Sequence, residues 1–309
     1  MRDPAKTFED LVVWQKECSP ERILTAYSLN RFSLEDRVMN KTILRANMTR
    51  IDISPRPEHM RAMGPAFGGA DGLRKVAFPL HARLAVLDAG NAAVIVIALD
   101  ACWITESVAH LFQEQFAPAI GIPAGHILLC ASHSHTAPPL AMDDAYAHWT
   151  QWVLETLRAA VPAAWAGRRP ARAGAGYGYR FGVCFNRRLP QADTRTKFVR
   201  DHIEGRTNPR PIDPNIGVLR IDEASGKLMG VLMNFAAHPA TLINHPEVSP
   251  DFPGFMCDYV ERRRSGAVAA FLQGGLRGHP HRLHVHHPGR GPVHGKPARQ
   301  RGQPGSRRH

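Results

Sequence analysis

The sequence contains no apolar run of the roughly 18 residues that a membrane-spanning helix requires. Its opening, MRDPAKTFEDLVVWQKE, places acidic residues where a secretory signal would carry an unbroken apolar core. Together these absences predict a cytoplasmic protein. Cysteine is also scarce. The five residues Cys18, Cys102, Cys130, Cys184 and Cys257 are odd in number, widely spaced and without a Cys-x-x-Cys pair. That pattern argues against a disulfide framework or a thiolate metal site and predicts free, buried thiols. After Gly274 the chain lacks acids, aromatic residues and any periodicity.

What is present is enough for a large core, since 44% of the 309 residues are hydrophobic. The formal net charge of +12 would suggest a polyanionic partner. However, Arg277, Arg282, Arg290, Lys296, Arg299, Arg301, Arg307 and Arg308 place 8 of the 39 basic residues after Gly274. The remaining 274 residues carry 31 basic and 27 acidic groups, a net of only +4. The body therefore has ordinary charge, and no specific nucleic-acid partner is expected.

Residues 1–45 form an appended segment to which no role is assigned. From Ala46 to Gly274 the pattern is that of an α/β domain, a mixed β-sheet core with flanking helices. TRIDISP is a short strand stopped by Pro55, and LHARLAVLDAGNAAVIVIALD is a hairpin turning at Asp88-Ala89-Gly90-Asn91. The continuously apolar run Ala92–Leu99 predicts a strand buried on both faces, in the middle of a sheet. Thr105 is placed to cap a helix with Val108, Leu111, Phe112 and Phe116 on one stripe, ended by Pro118 and Gly121. HILLCAS reads as another buried strand and Ala145–Val161 as a second amphipathic helix. ARAGAGYGY, IGVLRID, LMGVLMNFA and AVAAFLQG read as further strands, and FPGFMCDYVERRR as a helix.

The residues suited to chemistry lie at strand ends. CASHSHTAP places His133 and His135 just past a buried strand, where an extended backbone would aim residues i and i+2 to the same side. Two neutral imidazoles aimed at one point suit zinc and its neighbours. LMNFAAHPATLINHP places His238 at the end of another apolar strand, with His245 in the loop beyond. Catalytic groups in α/β folds collect at such addresses. Arg187 and Arg188 in FNRRLP could clamp a carboxylate or an oxyanion, or could simply be solvated. Asp100 and Asp251 flank apolar segments, where a carboxylate could hold a histidine tautomer.

In order and spacing, TRIDISP, FPLHARLAVLD, VIVIALD, IPAGHILLCASHSHTAP, FNRR, GVLMNFAAHP, VSPDFPGF and AAFLQG resemble the N-terminal catalytic domain of the neutral/alkaline, non-lysosomal ceramidase family. The resemblance covers about residues 46–274. It implies a zinc-dependent amidohydrolase that cleaves the N-acyl bond of ceramide or a related N-acyl lipid, giving a sphingoid base and a fatty acid. Carried over to this chain, it implies His133 and His238 as zinc ligands, His135 as an active-site histidine and Arg187 as a contact to substrate or oxyanion. It also implies a lipid partner with peripheral membrane-surface contact, and a location that in the family is often secreted or periplasmic.

Departures from the family pattern lie at the C-terminal end. The family's other two metal ligands, a glutamate and a tyrosine, fall beyond the FLQG strand, where residues 275–309 contain neither. The family's Gly-Asp-x-Asn/Ser-Pro turn is missing, and Ser249 in VSPDF matches a different turn. The expected domain is therefore incomplete at its C-terminus and its activity impaired. Residues 275–309 read as a disordered His/Arg/Gly/Pro-rich tail. A frameshift in GC-rich DNA accounts for both the tail and the missing turn. Codons compatible with GLRGHPH, shifted by one base, encode Ala-Cys-Gly-Asp-Ile-His. The alternative is a non-catalytic metal- or polyanion-binding protein acting through the tail. A barrel amidohydrolase is disfavoured, because no eightfold βα repeat is visible.

Overall fold

The computed structural model describes residues 43–63, 75–191, 196–198, 210–243 and 245–280. The readings of residues 1–42 and of the tail past Pro280 lie outside these. Strand β1 (Arg45–Asp52) is followed by a short helix α1 (Pro57–Met63) and a two-residue strand β2 (Lys75–Val76). The predicted hairpin forms from β3 (His81–Asp88) and β4 (Ala93–Leu99), in register from Ala82↔Leu99 to Asp88↔Ala93. Its turn needs Gly90, whose φ of 79° is left-handed and whose N–H donates to Asp88 Oδ1 at 2.8 Å.

Helix α2 (Glu106–Ile120) crosses over to β5 (Ile127–Ala131), which lies parallel to β4. Two details differ from the sequence expectation. Thr105 does not cap the helix with its side chain; its hydroxyl lies 3.2 Å from Ser107 Oγ. Pro118 does not end it either, since proline forfeits one backbone bond but the turn continues to Gly121, whose φ is 72°. Helix α3 (Ala147–Ala166) likewise runs through Pro162. Next come β6 (Arg169–Tyr179), β7 (Cys184–Asn186), β8 (Arg188–Pro190), β9 (Thr196–Phe198), β10 (Asn215–Glu223), β11 (Leu228–Ala237), β12 (Glu247–Val248), α4 (Asp251–Arg263) and β13 (Val268–Pro280).

Nine strands form one mixed sheet in the order β5-β4-β3-β1-β6-β10-β11-β13-β7. It bends at a corner, because β1 pairs along its length with β3 but meets β6 only at Arg45↔Pro170 and Ala46↔Arg169. The two halves fold face to face: Met48, Ala85, Val96 and Ala98 of the first pack with Ile221, Leu232 and Ala270 of the second. The outer face of the first half, including Leu84, Ile95, Ile97 and Leu99, packs on Phe112 and Phe116 of α2 and on Trp149 and Leu157 of α3. The outer face of the second, Met233, Phe235, Ala269 and Phe271, packs on Phe252, Met256 and Cys257 of α4. The layering is helix, sheet, sheet, helix.

This layering explains the unbroken apolar run of β4. Its odd residues face the helices and its even residues face the opposing sheet. Burial on both faces therefore did not require a central position: β4 lies second from the edge, and β5 is the edge strand, with Leu128 48% exposed. At the other end, β13 continues six residues past Gly274. Gly278, His279 and Pro280 pair with Asn186, Phe185 and Cys184 of β7 through the backbone, which leaves no trace in apolar alternation. Among the described residues no helix is long and apolar enough to cross a membrane.

Candidate metal centre

The first two histidines follow the edge strand. After Ala131, the N–H of Ser132 bonds to Leu99 O at 2.9 Å and that of His133 to Ala101 O at 3.0 Å, so the turn remains tied to the end of β4. His133 then adopts a φ of 66°. The expected extended His-x-His geometry is therefore absent. A left-handed residue reverses the chain, and the His133 and His135 rings meet across this turn at a centroid distance of 5.0 Å. The His133 ring is anchored by a 2.6 Å bond between Nδ1 and Cys102 O. A carbonyl can only accept, so Nδ1 carries the proton and Nε2 presents its lone pair.

The third histidine comes from the opposing half of the sheet. His238 directly follows β11, and the N–H of His135 donates to Pro239 O at 3.0 Å, joining the two loops. His238 is buried, while His133 and His135 are half-buried. Its ring centroid lies 5.0 Å from that of His133 and 4.7 Å from that of His135. The Nε2 atoms of His135 and His238 are 3.0 Å apart, and ligand-capable atoms of all three residues lie within 4.8 Å of one another. Among the described residues this is the group of three or more such side chains able to hold a metal ion. Two imidazole nitrogens at 3.0 Å must share a proton or a cation, because paired lone pairs would repel. This donor set fits a borderline-soft divalent ion such as zinc.

The remaining sequence candidates are placed differently. Neither aspartate touches a histidine ring of the cluster. Asp100 Oδ2 pairs with Arg83 Nη1 at 2.8 Å and accepts the His81 N–H at 2.9 Å. Asp251 accepts from the Thr241 hydroxyl, from the Leu242 N–H at 3.1 Å and from the Phe252 N–H at 2.6 Å. The carbonyl of Cys102 performs the orienting role that a carboxylate was expected to perform. Arg187 is half-buried at the end of β7, where Asn186 shares a register row with Gly278 and Ala237, the residue before His238. His245 lies in the following loop, with its N–H on Leu242 O at 2.9 Å, and is not part of the cluster.

Sequence reasoning missed Ser134 and Thr136. Both hydroxyls donate to Ser249 O, at 2.8 and 3.0 Å, and all three residues are buried. Their only sequence signal is the alternation of small hydroxyl residues with histidines in Ser132-His133-Ser134-His135-Thr136. A separate cavity of about 380 Å³, lined by Glu58, His59, Met142, His148, Gln151 and Trp152, lies between α1 and α3 and includes none of the three histidines.

No family model and no curated protein matches the chain. Among solved structures it is similar to the neutral ceramidase of Pseudomonas aeruginosa. That match has 21% identity and a TM-score of 0.62, and it covers 82% of this chain and 42% of that one. It is also similar to a ceramidase complexed with C2, at 21% identity and a TM-score of 0.60, covering 77% and 39% of the two chains. The chain thus spans less than half the length of these solved structures. It has the fold of a neutral ceramidase-type domain.

Proposed function

We propose that this chain carries the histidine half of a zinc-dependent amidohydrolase site of neutral ceramidase type, acting on the N-acyl bond of ceramide or a related N-acyl lipid. The observation that carries the reading is the convergence of His133, His135 and His238, from opposite halves of a ceramidase-type sheet, to within 4.8 Å. His133 and His238 hold the metal through ring nitrogens, and the Cys102 carbonyl keeps the His133 ring in the tautomer that binding requires. Zinc, when bound, supplies the Lewis acidity and the acidified water that amide hydrolysis needs at neutral pH. His135, whose ring centroid lies 5.0 Å from that of His133 and 4.7 Å from that of His238, is close enough to the metal position to hold or move a proton at its own ring nitrogen. Arg187 supplies fixed positive charge to the carbonyl oxygen as it becomes anionic.

The test is competition for zinc with a chromogenic chelator, followed by hydrolysis of a short-chain N-acylsphingosine. His133→Ala and His238→Ala should each lower zinc affinity at least about tenfold. His135→Ala should change it by less than about threefold, yet lower any zinc-dependent hydrolysis by about 10²-fold or more. Wild-type affinity unaffected by either of the first two variants would overturn the assignment.

A further inference from the structure

Beneath the three histidines runs a chain of hydrogen bonds that neither histidine loop could form alone. On one side, the hydroxyls of Ser134 and Thr136 reach the Ser249 carbonyl, and the Ser249 N–H donates back to Thr136 O at 3.1 Å. Ser249 Oγ then accepts the Asp251 N–H at 3.1 Å. On the other side, the Asp251 carboxylate takes the Thr241 hydroxyl and the Leu242 N–H, both in the loop that begins at His238. Ser134, Thr136, Ser249 and Asp251 are all at most 2% exposed. In such surroundings a satisfied network is rigid, and a broken one leaves costly unpaired groups.

A second observation points to the same place. Among the described residues, the non-glycine positions with positive φ are His133 and Asp251, at 66° and 54°. Strained backbone persists only where the surroundings over-determine it, and it collects at functional sites. Here one strained residue is a candidate ligand and the other is the centre of the network.

The geometry points to Asp251 and Ser249 as positioning residues. Together they form a buried anchor that, with the direct His135 N–H to Pro239 O bond, sets the separation of His238 from His133 and His135, and so the bite of the metal site. No bond in this anchor reaches a histidine ring. Its effect passes through the two loop backbones, which is why loosening one loop should displace the histidines of the other. The metal part of this inference rests on the zinc reading above, whereas the coupling between loops does not.

Thr241→Val tests it most directly, because the variant keeps the side-chain shape and removes one hydroxyl from the His238 loop alone. Amide hydrogen exchange, read by NMR, should quicken at least about tenfold at Leu242 and also, across the network, at Thr136 and Ser249. Cobalt(II) affinity should fall about tenfold, with weakened visible absorption of the ion. Thr241→Ser should restore both. Asp251→Asn, which keeps a residue tolerant of positive φ but sets an amide group against backbone donors, should have a larger effect. Leu157→Ala in the helical layer should lower the melting temperature without changing either readout.

Faster exchange confined to residues 241–243, or cobalt affinity unchanged in both Thr241→Val and Asp251→Asn, would overturn the anchor. If the wild-type chain takes up no cobalt while exchange at Thr136 and Ser249 still responds to Thr241→Val, the anchor stands and the zinc reading falls.

Discussion

His133, His135 and His238 were legible as candidates from their positions one to four residues past apolar runs, but their partners were not. A backbone carbonyl from Cys102 and hydroxyls from Ser134 and Thr136 orient this region; a carbonyl occurs at every position of any sequence, and serine and threonine are too common to mark a site. The cysteines read as free, buried thiols; the four that are described are free, three of them buried and Cys130 half-buried. Burial pushes the Cys257 thiol up to about 12 and that of Cys184 up to about 11. A pKa raised by folding contributes stability that is present below the unfolded value, near 9.0, and lost as pH rises toward the folded value. The urea midpoint should therefore fall between pH 8 and pH 10.5, and Cys257→Ala should flatten that slope. An unchanged slope would mean that other groups control alkaline unfolding.

At the scale of elements, the existence and type of the long ones were readable, while the short α1, β2, β7, β8, β9 and β12, and the ends of the elements, were not. Strands β1, β3, β4, β10, β11 and the first part of β13, and the helices α2, α3 and α4, follow hydrophobic patterning, whereas β6 is largely exposed. Their ends depend on backbone geometry: α2 and α3 pass through Pro118 and Pro162, and β13 extends through pairing with β7. Close strand contact is also invisible in the pattern. Gly230 of β11 lies where a Cβ would collide with the Val268 carbonyl and with Met48 Sδ. Alanine there must push β11 away from β13 and from the opposing sheet, so Gly230→Ala should destabilise the fold by about 1–3 kcal/mol. Equilibrium urea unfolding checks this, and a cost near zero would mean that the strands separate freely.

At the scale of the molecule, a buried charge network ties the layers together. Arg83 of β3 contacts Asp100 at 2.8 Å, with both side chains at most 5% exposed, and faces Glu261 of α4 at 3.5 Å and Asp258 at 3.9 Å. Burial opposes the Arg83 charge, but Asp100 and Glu261 hold its pKa above the usual guanidinium value. Glu261 also accepts the Ala269 N–H at 3.1 Å, so the network spans β3, α4 and β13. Removing the cation leaves buried carboxylates without a counter-charge, and Arg83→Ala should cost about 3–5 kcal/mol in chemical denaturation. A loss below about 1 kcal/mol would show that water or rearrangement replaces it. Local order decides periodicity and the strand-end address of each histidine, so the sequence by itself determined an α/β body, its main elements and the three imidazoles. Only the tertiary structure decided that the sheet bends at the β1–β6 corner, because that bend depends on pairing between distant strands. The bend brings the ends of β5 and β11, more than 100 residues apart, to one point.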